Sequence, residues 1–530
     1  MKLVNHLPFL ILFLFGELSC DQVQKSGSIS ALEEPESINL YNEQYRPQFH
    51  FSPPANWMND PNGLVYHEGI YHLFYQYYPD STVWGPMHWG HAISKDLVNW
   101  ENKPVALSPD SLGYIFSGSA VLDKNNTSGF GSKEKPPLVA IFTYHDPNKE
   151  KVGKIEYQNQ GLAFSLDNGD TWTKYRANPV LKNPGIKDFR DPKVFWHEES
   201  EQWIMSLAVS DHIEFYGSKD LKNWKKLSEF GTEYGSHEGV WECPDLMEVP
   251  IENTTNSRWV LIVSIGTGGE RGSATQYFVG DFDGKEFTIN QQEILPMWLD
   301  YGWDNYAGVT WSNTPDRSNI FIGWMSNWLY AQQVPTDPWR SSMTVPRKLT
   351  LFQSRGNFRL RSYPIQEFQL LRTTATEINR SLVSKKADFS SYLQGEGQPL
   401  FDFELLFSKV RPTGSWSVIF GNVYGDSLEF GYRDTVNQFF LDRRASGQVS
   451  FHEKFDAIQF APRFSLLPQI PVRILLDRSS IEVFADKGEV VFSDKFFSKG
   501  PFTHMEIRAP EEAILLEGMV YRLSSIWHPE

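Results

Sequence analysis

Trp57-Met58-Asn59-Asp60-Pro61-Asn62-Gly63 gathers an aromatic platform, an amide, a carboxylate and a turn sequence into seven residues, a combination suited to a sugar site. Pro61 biases Asp60 toward extended backbone, and Pro61-Asn62-Gly63 is a tight-turn sequence in which Gly63 can take positive φ. The segment is expected to hold a carboxylate at the end of a strand, where the chain turns and the side chain faces a cleft. Asp-Pro occurs four times, at Asp60, Asp146, Asp191 and Asp337, so a single pair also reads as an ordinary turn beside a core Trp. Two more acids have a proline close behind. In Phe189-Arg190-Asp191-Pro192 a guanidinium stands next to a carboxylate it could keep ionised, and in Trp241-Glu242-Cys243-Pro244-Asp245 the acid sits among apolar neighbours. Taken singly, Asp191 suits a surface ion pair and Glu242 a solvated strand residue.

Residues so far apart in sequence need a fold that brings them together, and a degenerate repeat supplies one. Ser94-Lys95-Asp96-Leu97-Val98-Asn99-Trp100 is echoed by Ser165 to Trp172, by Ser218 to Trp224 and, more weakly, by Gly280 to Phe287, at spacings of 71, 53 and 62 residues. Each copy sets a polar turn before an aromatic residue and follows a strand-like run such as Gly161-Leu162-Ala163-Phe164. Such spacing fits four-stranded blades with variable loops, and hence an all-β, five-bladed β-propeller over residues 45–355 whose terminal segments combine to close the ring. Inner strands of all blades then converge on one central funnel. The repeat stops beyond Gly356; residues 356–375 are expected to be a linker with a short helix near Tyr363 to Leu371, and residues 376–530 a β-sandwich with strands such as Leu400 to Leu405, Ser415 to Phe420, Val472 to Asp477 and Ser480 to Ala485.

Composition agrees with many short strands. The 530 residues include 18 Trp, 22 Tyr, 38 Phe, 38 Gly and 32 Pro, too long a chain for one core and too aromatic and turn-rich for a helical one. A net charge of −16 without a basic block excludes a nucleic-acid backbone as partner and suits a neutral ligand. Lys2 and the apolar run Leu7 to Phe15 read as an export signal over residues 1–20, too short to span a bilayer. Gly16-Glu17-Leu18-Ser19-Cys20 resembles a lipoprotein processing site, with Cys20 the residue that would carry lipid and give the sole membrane attachment; cleavage by ordinary signal peptidase is the alternative. Polar residues 21–44 read as a flexible tether. The one other cysteine, Cys243, gives no disulfide framework. His88 and His91 would fall on opposite faces of a strand, so neither a metal nor a cofactor is expected.

With its three acid-bearing segments the chain, from about Tyr45 onward, resembles glycoside hydrolase family 32, the fructan hydrolases and invertases. Trp57 to Gly63, Arg190-Asp191-Pro192 and Glu242-Cys243-Pro244 match the family's three catalytic motifs in order and spacing; Gln76, Trp84, Phe116-Ser117-Gly118, Asp304-Asn305-Tyr306-Ala307, Gly323-Trp324 and, in the sandwich, Asp477 to Phe484 match further segments. The resemblance implies a five-bladed propeller joined to a β-sandwich. It further implies Asp60 as nucleophile, Glu242 as general acid/base and Asp191 as stabiliser of the transition state through fructosyl hydroxyls. Trp57, Trp84 and Trp324 would line the pocket as stacking faces, with Asn59, Gln76, Phe116, Ser117, Arg190 and Tyr306 as further substrate contacts. Two ionised carboxylates would help keep Glu242 protonated. The segment Met325 to Thr336 and the following Trp339 to Arg347 look most like microbial exo-inulinases and levanases. The expected activity is exo-hydrolysis of levan, inulin or sucrose, with an endo-fructanase, a fructosyltransferase or a non-catalytic fructan binder as the other readings.

Overall fold

The computed structural model describes residues 41–267, 269–289, 296–354, 356–395, 399–410 and 414–527. The export signal, Cys20 and residues 21–40 of the expected tether lie outside them. Tyr41–Gln44, expected as the end of that tether, belong to the folded unit: the Tyr41 ring stacks on Trp527 at 3.9 Å, and Glu43 forms an ion pair with Arg46. Among the described residues no helix is long and apolar enough to cross a membrane.

Five sheets, each built on four antiparallel strands and three of them extended by a short fifth, form the propeller. Their first strands, Asn56–His67, Tyr114–Leu122, Phe189–His197, Trp241–Pro250 and Tyr306–Thr310, touch one another in that cyclic order and so ring the central axis. Fully buried Val, Ile, Leu, Phe and Trp residues on both faces of each sheet pack between blades, which is why the strand sequences run apolar rather than alternate. The repeated polar turn occupies one place in four blades, the hairpin from third to fourth strand. There Asp96 accepts the backbone N–H of Val98 and Asn99, Asp220 that of Lys222 and Asn223, and Asp283 that of Lys285 and Glu286, while Asp167 accepts that of Thr171. The aromatic residue that follows joins the core; Trp172 of blade 2, for example, meets Phe74 of blade 1 edge-on.

Blade 5 is built wholly from later residues, and closure comes from a short segment, Trp339–Arg340, which pairs in parallel with Asn56 and Trp57 of blade 1. Residues 357–364, expected to open a linker, are instead the outer strand of blade 5, hydrogen-bonded along Arg347–Ser354. A 3-10 helix, Gln366–Leu371, then leads into the second module. Strands from Arg372–Asp388 to His504–Leu523 form the β-sandwich around a core that includes Phe403, Trp416, Phe430, Ile474 and Phe492.

Candidate active site

Every innermost strand is broken by a β-bulge where it passes the axis, and each bulge carries one of the segments singled out in the sequence. Register shifts fall between Met58 and Pro61, between Ile115 and Gly118, between Arg190 and Lys193, between Glu242 and Asp245, and between Tyr306 and Val309. A bulge takes backbone groups out of the ladder and re-aims side chains, and it tolerates a proline that a regular central strand would not. Pro61, Pro192 and Pro244 all sit there. Asp191, Cys243 and Ala307 take positive φ, of 64°, 46° and 52°. The freed amides are recaptured by neighbours: Asp191 N–H donates to Thr143 Oγ1, Ala307 N–H to Ser264 Oγ, and Cys243 N–H to Asp191 Oδ2. Trp57 to Gly63 thus lies inside a strand, not at a turn after it, although Gly63 does take positive φ, of 54°.

Asp60 is nearly buried, and its carboxylate is held at both oxygens. Ser117 Oγ donates to Oδ2 at 2.6 Å, and Asn59 Nδ2 to Oδ1 at 2.9 Å; the amide is itself oriented by Trp57 Nε1 donating to Asn59 Oδ1 at 2.7 Å. Cys243 Sγ stands 3.7 Å from Asp60 Oδ2 and 3.6 Å from Asp191 Oδ2, so one thiol joins the acids of blades 1 and 3. Burial pushes this thiol well up, which keeps it a neutral donor. Glu242 completes the trio from blade 4. Its side chain is 21% exposed against 6% for Asp191, which puts it nearer the mouth.

Arg190 serves Glu242 more than its sequence neighbour. Its Nε and Nη2 donate to Glu242 Oε1 at 3.1 and 2.8 Å, and Nη1 to Asp188 Oδ1 at 2.6 Å, while Asp191 Oδ2 lies 4.0 Å away without a hydrogen bond. Arg190 still favours the ionised form of Asp191 through space, as expected, but its hydrogen bonds go to Glu242 on the next blade and to Asp188. Tyr306 donates its hydroxyl to Glu242 Oε2. Burial is the largest influence on both aspartates. It raises Asp60, opposed by the Ser117 and Asn59 hydrogen bonds, and lifts Asp191 to about 7, where nearby Arg190 pulls down and Glu242 and Asp60 push up.

Three residues expected at the sugar are buried in the structure. Trp57 and Trp324 are fully buried and pack on each other and on Trp328. Gln76 is buried with its amide donating to Asn62 Oδ1 and the Ile115 carbonyl. Among the described residues, the buried Trp324 Nε1 has no hydrogen-bond partner. Trp84 is the exposed ring; it meets Phe116 edge-on, and half-buried Phe116 stacks on His145 at 4.3 Å. Asp304 faces away from the funnel and binds Arg443 of the sandwich.

The match to known families extends over both modules. Residues 50–364 fit the glycosyl hydrolases family 32 N-terminal domain and residues 367–520 its C-terminal domain. The chain belongs to glycosyl hydrolase family 32. A levanase of Bacillus subtilis is 45% identical over 497 residues, spanning 92% of this chain and 72% of the relative; an extracellular exo-inulinase of Aspergillus awamori is 38% identical, over 92% and 96%. The crystal structure of exo-inulinase from Aspergillus awamori superposes with a TM-score of 0.83 at 36% identity, covering 92% of this chain and all of that one, and a fructofuranosidase from Schwanniomyces occidentalis complexed with fructose gives 0.81 at 34%, over 92% and 99%. As a family 32 member the protein is a glycoside hydrolase.

Sequence reasoning about this family 32 chain missed Asp188, Thr143, Ser264 and Asn62, which hold the bulges and Arg190 in place. Thr143 and Ser264 act across a blade boundary, where no local spacing marks them, whereas Asp188 stands two residues before Arg190 and Asn62 binds Gln76 of its own blade. His88 and His91 offer no joint metal site, since His88 meets the Pro86 carbonyl and His91 faces His72 Nδ1 at 3.1 Å. Elsewhere among the described residues His212, Glu214 and Glu229 gather on outer strands of blade 3, but Lys226 Nζ already fills that cluster, 2.5 and 2.8 Å from the two carboxylates.

Proposed function

We propose that the protein is a retaining, exo-acting β-fructosidase that removes terminal fructose from levan or inulin, and from sucrose. The observation that carries the reading is the convergence of Asp60, Asp191 and Glu242 from bulges on three blades, with one thiol between the two aspartates and Arg190 and Tyr306 on the glutamate. Relatives named levanase and exo-inulinase support the substrate class.

Asp60 attacks the anomeric carbon while Glu242 protonates the departing oxygen, and the oxocarbenium-like charge in between is stabilised by ionised carboxylates. Water then attacks the fructosyl-Asp60 ester with Glu242 as base, giving net retention. Burial raises both aspartates, and each carboxylate makes it harder for the other to carry charge. Fructosyl hydroxyls donating to Asp60 and Asp191 stabilise their ionised forms. The exposed Trp84 supplies the stacking face.

Two comparisons test this together. Asp60→Ala and Glu242→Ala are each expected to lose nearly all turnover while staying folded; near wild-type fructose release by either sinks the assignment. On levan and inulin, fructose alone from the first minutes supports exo action, whereas early oligosaccharides mean an endo enzyme and chain growth at high sucrose a transferase. We further propose export, with a lipid on Cys20, on the strength of the N-terminal sequence and of relatives named extracellular. Loss of membrane-fraction activity in Cys20→Ala is the expected outcome, and unchanged partition rules the lipid out.

A further inference from the structure

Beneath the three acids, the ring of innermost strands encloses a buried ion pair. Lys193, two residues past Asp191 on blade 3, extends its Nζ to 3.1 Å from Asp245 Oδ2, three residues past Glu242 on blade 4, and donates to the Thr310 carbonyl of blade 5. Thr310 answers with two hydrogen bonds to the same Asp245 oxygen, from its backbone N–H and its Oγ1, both 2.7 Å. Lys193 is 7% exposed and Asp245 1%. A small cavity bounded by Asn62, Ser117, Asp191, Lys193 and Cys243 adjoins both Lys193 and Asp191.

We infer that Lys193 and Asp245 are positioning residues for the reaction, which tie the bulges of blades 3, 4 and 5 together and keep the floor under the three carboxylates electrically neutral. Two features support it. First, the pair bridges the strands that carry Asp191 and Glu242 immediately after each bulge, where the ladder hydrogen bonds are interrupted. Second, the charges above it are unbalanced: Asp60 from blade 1, Asp191 from blade 3 and Glu242 from blade 4 face a single cation, Arg190, whose third contact is Asp188. Blade 2 adds His145 with Glu150 at the rim, and the thiol of Cys243 and phenol of Tyr306 stay neutral. Buried charge without a partner would spread through this low-dielectric floor. Residues two apart on a strand are separated by about 7 Å, and a unit charge at that range moves a carboxylate by on the order of one pH unit at the effective dielectric of a protein interior.

This inference rests on the proposed hydrolase reading, and the test separates the two. The kcat/KM profile against pH for fructose release is measured for wild type, Lys193→Met, Asp245→Asn and the double variant, with Asp60→Ala alongside. Lys193→Met leaves an extra anion, which holds protons on the acids, so both limbs are expected to move up by about one pH unit. Asp245→Asn leaves an extra cation, and both limbs are expected to move down by a like amount. The double variant restores neutrality and is expected to bring the profile back near that of wild type, even where a single variant folds too poorly to assay. A purely structural pair would lower thermal stability in all three without translating the profile, and coincident profiles, or single-variant shifts of one sign, overturn the inference. Turnover retained by Asp60→Ala overturns the hydrolase assignment itself.

Discussion

The ionisation of two buried aspartates governs the behaviour of single residues here. Ser117 donates to Asp60 at 2.6 Å, so Ser117→Ala removes a hydrogen bond to the charged form. A fall in kcat/KM of roughly 10- to 100-fold is expected, with the acid limb of its pH profile moved upward; an unmoved limb would show that Ser117 does not set the ionisation of Asp60. Asp191 is lifted to about 7, above its ordinary range near 4, so its contribution to stability is fully present below about pH 4 and is lost as pH rises through 7. Asp191→Asn is therefore expected to be inactive and to melt a few degrees above wild type at pH 8, with the difference closing toward pH 4. Calorimetry across that range checks it, and parallel curves would refute the burial penalty. The three acids were legible because each sits in a short motif with its own proline. The partner of Arg190 was not, because a guanidinium reaches about as far to the next blade as to its neighbour in sequence.

At the level of elements, the bulge is the device that turns a propeller strand into a support for an acid. Gly63 shows its demands: φ is +54°, and an added Cβ would lie 2.7 Å from Trp89 Cζ3 and 2.8 Å from Phe74 Cδ2. Strain and overpacking together give Gly63→Ala an expected cost of about 2–4 kcal/mol. Because the shift would propagate to Asp60, kcat should fall even at temperatures where the variant is folded; denaturant unfolding and rate measurements on one preparation test both. The blades themselves were readable from the Asp-centred hairpins, whose side-chain caps impose a local sequence. Pro61-Asn62-Gly63 was misread as a turn because a bulge uses the same residue types: a proline that donates nothing and a glycine at positive φ. Residues 357–364 escaped notice because the sequence leading into the outer strand of blade 5, Ser354-Arg355-Gly356, lacks the Asp of the other blades.

The whole molecule is held by ion pairs buried between propeller and sandwich. Arg443 donates to Asp304 of the propeller at 2.6 Å and to Asp494 of the sandwich at 3.0 Å, and Arg347 binds Asp300 and Glu482, both at 2.9 Å. Asp477 and Glu482, in the sandwich segment shared with family 32, clasp His50 at 2.8 and 3.2 Å. Arg443→Met would strand two buried carboxylates, an expected loss of about 3–5 kcal/mol, read in calorimetry as a lower and divided transition; one unchanged transition would mean the pair contributes little. Two modules could be inferred from where the repeat ends, but not this interface, since its partners lie up to hundreds of residues apart. The ring of blades brings Asp60 and Glu242 together from different blades, and the central proposal is that they act on the same sugar. The direct test is to quench Glu242→Ala during reaction with fructosyl fluoride, whose leaving group needs no proton, and to map the adduct by mass spectrometry. A fructosyl ester accumulating on the peptide that contains Asp60 is the expected result; an adduct on Asp191, or free turnover at the wild-type rate with none on Asp60, would contradict it.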